Sequence, residues 1–110
     1  MPSSSTELLR GTLDLLILRA LRLEPMHGWG IAQRIQERSR DAFSVGQGSL
    51  YPALQRLEQR GWIDNEWRKT DENRRAKYYR LTRTGRKALG EETANWRRYV
   101  AAMELVLQNR

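Results

Sequence analysis

Residues 6–23 constrain the fold more strongly than any other segment, because as a helix they are apolar on nearly every side. The apolar side chains of this segment are Leu8, Leu9, Leu13, Leu15, Leu16, Ile17, Leu18, Ala20 and Leu21. A helix of this kind must be buried on more than one face. It is not a membrane span, since it also carries the charged residues Arg10, Asp14, Arg19 and Arg22. A chain of 110 residues has room for one domain, so we expect a second copy of the chain to cover part of this helix.

The surplus positive charge of the chain lies in residues 68–87. This stretch holds nine Lys or Arg against two acidic residues, a net charge of +7, whereas the rest of the chain carries 11 of each sign. Charge this concentrated favours a polyanion as the partner. A solvated helix face or a disordered tail is the alternative. Because Tyr78, Tyr79 and Leu81 interrupt the run as residues that pack, a folded ridge is the better interpretation.

The residue types in the chain exclude several classes of function. The sequence has no cysteine and one histidine, which excludes disulfides and thiolate metal sites and argues against zinc. No nucleophile with a base, no paired carboxylates and no phosphate loop can be assembled, so we expect neither an enzyme nor a cofactor. Residues 1–6 are polar and show no signal-type apolar core, which predicts a cytoplasmic protein. His27 follows a Pro–Met turn and is expected at the surface or as a helix cap.

The central part of the chain reads as two helices separated by a glycine-containing turn. The first is predicted over residues 28–39, and its inner stripe is expected to consist of Trp29, Ala32 and Ile35. The second is predicted over about residues 49–60, and its core face is expected to consist of Leu50, Leu54 and Leu57. Proline fits the first turn of a helix, so Pro52 predicts a cap at Gly48 or Ser49.

A hairpin and a long helix complete the predicted elements. Residues 62–68 and 76–81 read as two strands with a polar connection, and Tyr79 and Leu81 are expected to anchor this hairpin to the core. Thr82 is predicted to cap a last helix of about 40 Å. The apolar-leaning residues of that helix alternate at spacings of four and three: Leu89, Thr93, Trp96, Val100, Met103 and Leu107. This spacing is a heptad seam that packs against another helix.

The order of these elements predicts a mainly α fold with a small β-hairpin, namely a winged helix-turn-helix followed by a long C-terminal dimerisation helix. We expect residues 1–82 to form the winged-helix domain, whose N-terminal helix shares in the dimer interface, and residues 83–110 to form the dimerisation helix. In a winged helix, the helix after the turn enters the major groove of duplex DNA and the hairpin lies on the adjacent backbone.

The predicted DNA contacts come from the outer face of the second central helix and from the hairpin tip. They are Gln47, Ser49, Tyr51, Gln55, Arg56, Arg74, Arg75 and Lys77. Gln47 and Ser49 lie near a helix N-terminus, where backbone donors favour a phosphate. The ring and hydroxyl of Tyr51 suit a thymine methyl group or a phosphate. Alternatives stay open for these residues. Tyr51 is alternatively a half-buried packing residue, and Gln55 and Arg56 belong to a solvated outer face. Any single cation of the hairpin tip is alternatively exposed to solvent without a partner.

Three stretches of the sequence resemble the PadR family of bacterial transcriptional regulators. They are residues 28–31 (GWGI), 48–54 (GSLYPAL) and 75–82 (RAKYYRLT). The resemblance implies a dimeric winged-helix repressor on a palindromic operator, with Ser49, Tyr51 and the hairpin cations contacting DNA. Trp29 stands where the family usually has tyrosine. A single C-terminal helix resembles the short branch of the family.

The uncovered apolar surfaces of the first and last helices predict a homodimer. The residues expected at its interface are Leu13, Leu16, Leu89, Trp96, Val100, Met103 and Leu107. Trp96 is either an aromatic residue of the dimer core or the wall of a slot for a flat aromatic effector, which the resemblance to short family members implies. In the second case Arg97 and Val100 are expected to line the same slot.

The leading functional hypothesis is a sequence-specific regulator of transcription that binds double-stranded DNA. It is expected to be a dimeric repressor released by a small, aromatic effector. The alternative is a winged-helix interaction module whose basic ridge binds an acidic protein. RNA binding is weaker, because no interleaved pair of exposed aromatic residues on a sheet is evident.

Overall fold

The computed structural model describes residues 10–108, and within this range the chain forms four helices and a three-stranded antiparallel sheet. In chain order the elements are α1 (Arg10–Ala20), β1 (Met26–His27), α2 (Gly28–Arg38), α3 (Gln47–Gln59), β2 (Ile63–Lys69), β3 (Arg75–Leu81) and α4 (Arg83–Leu107). The predicted fold class is confirmed as a winged helix-turn-helix with a long C-terminal helix. In the described range, every helix is too short or too polar to cross a lipid bilayer.

Helix α1 lies at the centre of the hydrophobic core, in contact with α2, α3 and α4. Its most deeply buried apolar side chains are Leu13, Ile17, Leu18 and Ala20, and Leu21 directly after the helix is buried as well. Leu15 and Leu16 are only half-buried, so one apolar stripe of the helix stays accessible on the protomer. Leu13 packs inside its own protomer, which corrects its predicted place at a dimer interface. The predicted helix start at residue 6, with Leu8 and Leu9, lies outside the described residues.

Helix α2 begins directly after His27, whose Nδ1 accepts a hydrogen bond from the backbone N–H of Gly30 at 3.0 Å. The predicted capping role of His27 is therefore confirmed. The predicted inner stripe is partly wrong, because Ile31 and Ile35 fill the core whereas Trp29 is 67% exposed. A spacing of four between buried residues keeps them on one side of a helix with 3.6 residues per turn.

Helix α3 begins two residues earlier than predicted, with Gly46 rather than Gly48 or Ser49 at the cap. Pro52 therefore lies in the second turn instead of the first. The cost is one backbone hydrogen bond that proline cannot donate, and Pro52 is exposed to solvent. The predicted core face is confirmed and gains one alanine; its buried residues are Leu50, Ala53, Leu54 and Leu57.

Strands β2 and β3 form a hairpin, the wing, whose register starts with Ile63 opposite Leu81. Tyr79 and Leu81 are buried, as predicted. The two-residue strand β1 pairs with the other edge of β3, in a segment whose sequence predicts only a turn. This pairing sets His27 opposite Tyr78 and so fixes the start of α2 against the wing.

Helix α4 follows the wing without a flexible linker. Thr82 caps it as predicted: its Oγ1 accepts a hydrogen bond from the N–H of Gly85 at 2.9 Å and donates one to the carbonyl of Gly61 at 2.6 Å. A Cβ at Gly85 would collide with the backbone carbonyl of Trp62, so this crossing requires glycine. Leu89 is buried in the core of its own protomer, which corrects its predicted place at a dimer interface.

Candidate nucleic-acid interface

The outer face of α3 presents polar and aromatic side chains opposite its buried leucines. Gln47, Tyr51 and Gln55 are exposed on it, and Ser49 is half-buried near its N-terminus. Tyr51 is 45% exposed, so it is not a core residue. This face has the arrangement that a recognition helix needs, with hydrogen-bonding groups and one ring directed away from the core.

The ring of Tyr51 lies against the first residue of α2. A Cβ placed on Gly28 would lie 2.7 Å from the Tyr51 hydroxyl oxygen, closer than any ordinary contact. Glycine at this position therefore lets α2 approach α3. Within the described part of the chain the Tyr51 hydroxyl has no hydrogen-bond partner, so it is available to a ligand.

The wing packs one face against α3. A side-chain hydrogen bond from Asn65 on β2 to Glu58 on α3 joins the two elements. Tyr79 is buried beside them, and burial raises the pKa of its phenol, with the charges of Glu58 and Tyr51 adding to the increase. Strands alternate their side chains between faces, so Trp67 and Lys77 lie on this same face nearer the tip.

Two of the wing arginines are held by carboxylates on the opposite face of the hairpin. Arg80 bonds Asp64 at 2.7 Å, and Arg68 bonds Glu66 at 2.6 Å. The hydrogen bond and charge of Asp64 also raise the pKa of Arg80. These pairs neutralise part of the positive stretch, so its field comes from the other cations of the wing and from those at the start of α4.

The three cations predicted to contact DNA are free of carboxylate partners within residues 10–108; they are Arg74, Arg75 and Lys77. The Arg75 guanidinium lies 5.4 Å from the centre of the Trp67 ring, and the Lys77 ammonium lies 5.9 Å from that of Tyr79. Such cation–π contacts orient a cation without neutralising it. These three residues are therefore among the wing cations that remain available to phosphates.

A cleft of about 840 Å³ lies between the wing, the N-terminus of α2 and the outer face of α3. Tyr51, Arg75 and Lys77 all line it, so the structure brings residues from both predicted elements to one surface. The cleft is also lined by two exposed tryptophans, Trp29 at 67% and Trp67 at 58%, which are not among the predicted DNA contacts. The alternation of β2 from the buried Ile63 places Trp67 on this face, and that signal is present in the sequence.

Arg56 does not belong to this surface. Its guanidinium Nη2 lies 2.8 Å from Oδ1 of Asp14 on α1, and its side chain is 27% exposed. The pair points from α3 toward the core side of the domain. We therefore remove Arg56 from the predicted DNA contacts, because its charge is already used by a buried carboxylate.

The predicted effector residues also meet at one place. Trp96, Arg97 and Val100 line a cavity of about 560 Å³ between α4 and α1, to which Leu15 and Leu16 contribute. The Trp96 ring stacks on Tyr99, with 5.7 Å between the ring centres. Trp96 is 37% exposed, and the cavity wall is mainly apolar with Arg97 at its rim.

The end of α4 is apolar beyond its heptad seam. Met103 and Leu107, both on the seam, are 44% and 67% exposed, and Leu105 and Val106 beside them are 68% and 82% exposed. An exposed apolar surface of this kind is typical of a contact with another protein surface. Among the described residues, no cluster of His, Asp or Glu side chains has an arrangement that could hold a metal ion.

The helix-turn-helix, the wing on its flank and the cationic cleft between them define a winged-helix protein of the DNA-binding class. Residues 17–91 match the model of the transcriptional regulator PadR-like family, and the chain belongs to this family of DNA-binding transcription regulators.

Proteins with related sequences and structures agree with this assignment. A transcriptional regulator of Mycobacterium tuberculosis is 40% identical over 86 residues, which cover 78% of this chain and 77% of that protein. A PadR family regulator from Eggerthella lenta is 32% identical, with a TM-score of 0.80, covering 94% of this chain and 88% of that one. A transcriptional regulator from Clostridium thermocellum is 25% identical, with a TM-score of 0.83, covering 93% and 99% of the two chains.

Proposed function

We propose that the protein is a homodimeric repressor that binds a palindromic operator and is released by a small aromatic effector. The observation that carries DNA recognition is the cleft shared by Tyr51 of α3 and the unpaired wing cations Arg74, Arg75 and Lys77. Cations on the wing contact phosphates and position the protein, whereas the outer face of α3 reads base edges. A regulator of this kind acts on the chromosome, so we expect it in the cytoplasm.

The exposed apolar surface of α4 supports the homodimer. Residues 83–110 then act as the dimerisation helix, and the accessible stripe of α1 at Leu15 and Leu16 adds to the buried area. A twofold axis through this interface relates two recognition helices and two wings, which matches two half-sites on one face of a duplex. Sedimentation at micromolar concentration is expected to give a dimer, and Trp96→Ala together with Met103→Ala is expected to weaken it.

The cavity at Trp96 supports release by an effector. Its apolar walls suit a flat aromatic molecule, and Arg97 at the rim suits an anionic group on it. A ligand that binds better at one spacing of the two wings lowers operator affinity through a population shift. If Trp96→Ala dimerises, binds its operator and responds to its inducer as the wild type does, Trp96 has no sensing role.

The DNA-binding part is tested with duplexes selected from a random pool by the protein itself. Arg74→Ala with Arg75→Ala is expected to weaken binding to all sequences and to reduce the slope of log affinity against log salt by about 3.6 for the dimer, at about 0.9 per phosphate contact and two contacts per protomer. Tyr51→Ala is expected to reduce the preference for the selected duplex instead. Equal loss on all sequences from both variants would contradict the recognition-helix assignment. If duplex DNA fails to compete with an acidic protein at about 0.15 M salt, the ridge is a protein-binding surface.

A further inference from the structure

An ion pair links α1 to the recognition helix at a place that the proposed DNA contacts do not use. Asp14 is 6% exposed, the most buried charged residue among those the structure describes. Its Oδ1 accepts a hydrogen bond from Nη2 of Arg56 at 2.8 Å, across 42 residues of sequence. Burying a carboxylate costs free energy unless the carboxylate is paired. A residue that only filled space at this position would therefore be apolar.

The Asp14–Arg56 pair attaches one side of α3 to α1, and the adjacent side of α3 carries Tyr51 and Gln55, the residues proposed to contact bases. Arg56 follows Gln55 directly in the helix, and Gln55 lies one turn after Tyr51. Contacts between the buried leucines of α3 and the core are non-directional, so they constrain the rotation of the helix less sharply than a directional bond does. A charge-assisted hydrogen bond has a fixed length and direction, so it defines that rotation.

The position of the Arg56 guanidinium depends on its single contact with Asp14. Arg56 Nε is buried and has no hydrogen-bond partner in the described part of the chain, so the guanidinium is held through Nη2. A small cavity of about 220 Å³ lies beside the pair, and Arg60 and Glu92 also line it. The guanidinium of Arg60 stacks over the Trp62 ring at 5.0 Å, and no salt bridge joins Glu92 to Arg56 within residues 10–108. Asp14 is therefore the carboxylate that positions Arg56.

We propose that Asp14 is a positioning residue for operator recognition. Through Arg56 it fixes the rotation and depth of α3, so that Tyr51 and Gln55 meet base edges in register. This inference rests on the proposed function, because it concerns the same DNA-reading surface. Asp14 itself contacts no DNA; removing its charge acts on recognition through the orientation of the helix.

The test compares Asp14→Asn with Asp64→Asn. Asp64 forms a pair of similar length with Arg80, at 2.7 Å, but both side chains of that pair are about half exposed. Each variant removes one negative charge and so raises the general attraction to DNA, an effect that selected and random duplexes share and that cancels in the ratio of their affinities. The measured quantity is the ratio of affinities for the selected duplex and for a random duplex of equal length, at fixed salt.

Asp14→Asn is expected to lower this ratio by about tenfold, the loss that follows when a base-reading contact is misplaced. Asp64→Asn is expected to leave the ratio unchanged. Partial unfolding lowers both affinities equally and leaves their ratio unchanged, so the ratio separates positioning from a merely structural role. Asp14→Glu keeps the carboxylate and is expected to restore most of the preference.

A second variant covers the case in which Asp14→Asn does not fold. Asp14→Asn with Arg56→Gln removes both charges and leaves no unpaired buried cation, and its ratio is also expected to fall. A wild-type ratio in the folded single or double variant, or no recovery with Asp14→Glu, overturns the inference while the proposed function stands. If the wild-type protein itself shows no preference for the selected duplex, the proposed function fails and this inference fails with it.

Discussion

Replacement of Gly28 by alanine is expected to impair operator recognition while leaving the fold intact. The added methyl carbon lies 2.7 Å from the Tyr51 hydroxyl oxygen, whereas ordinary contacts begin at 3.4 Å, so the hydroxyl must retreat by about 0.7 Å. Gly28 has no positive φ, so alanine fits its backbone. Since the atom that must move is the tip of a surface side chain, we expect the free energy of unfolding to change by less than about 1 kcal/mol.

The effect on recognition is expected to be larger than the effect on stability. A hydrogen bond from an O–H group is lost when it lengthens by about 0.7 Å from its usual 2.7 Å or so. One contact at a base edge contributes about 1–3 kcal/mol of discrimination. Gly28→Ala is therefore expected to lower the ratio of selected-duplex to random-duplex affinity about fivefold, measured by fluorescence anisotropy at fixed salt. Gly90→Ala, which adds the same methyl group where nothing lies within 4 Å, is the matched control.

A double-mutant cycle tests whether the methyl group acts through Tyr51. Tyr51→Phe removes the hydroxyl that Gly28→Ala displaces, so the double variant is expected to be little worse than Tyr51→Phe alone. Full additivity of the two effects would refute this reasoning, as would a Gly28→Ala protein with the wild-type affinity ratio.

Three further predictions concern stability and use chemical or thermal unfolding. Gly85→Ala is expected to lower the free energy of unfolding by about 3 kcal/mol, because the Trp62 carbonyl is backbone and cannot move aside; Gly90→Ala in the same helix is expected to raise it by about 0.5–1 kcal/mol. Thr82→Ala removes the cap of α4 and its bond to the preceding turn, and is expected to cost about 1–2 kcal/mol; a cost near zero would contradict the capping role. Burial raises the pKa of Tyr79, so its protonated form stabilises the fold, fully below about pH 10 and progressively less above it. The free energy of unfolding of the wild type, relative to that of Tyr79→Phe, is therefore expected to fall above about pH 10. A difference that does not change with pH would show that the phenol has the same pKa in the folded and the unfolded state.

The elements of this fold are largely predictable because their signals are local. The spacing of Leu50, Leu54 and Leu57 defines the buried side of α3, and Thr82 satisfies a helix N-terminus three residues away. The start of α3 is predicted two residues too late, because proline in the second turn weakens a helix through a missing N–H bond and a clash with the carbonyl of residue i−4 but does not forbid it. Losing that single bond at the exposed Pro52 is tolerated when Gly46 already provides the cap.

The side chains that meet across the fold are less predictable, because their partners are distant in sequence. Arg56 reads as an outer-face residue until Asp14, 42 positions away, is placed beside it. The apolar character of Leu13 and Leu89 is evident from the sequence, but whether the same protomer or a partner covers them depends on how α1 crosses α4. For Trp29, the fixed entry of α2 beside β1 decides its exposure, and a two-residue strand has no recognisable pattern.

The junction between the wing and α4 is tight, so a tilt of the long helix moves the wing with it. Thr82 bonds the turn that precedes the hairpin, and Gly85 packs directly on the Trp62 backbone, so bending at this junction is restricted. Across the 25 residues of α4, at about 1.5 Å per residue, a tilt of about five degrees at the base displaces the far end by about 3 Å. Angular adjustments at the far end of α4 therefore reach the hairpin as rigid-body rotation, without loss in a hinge.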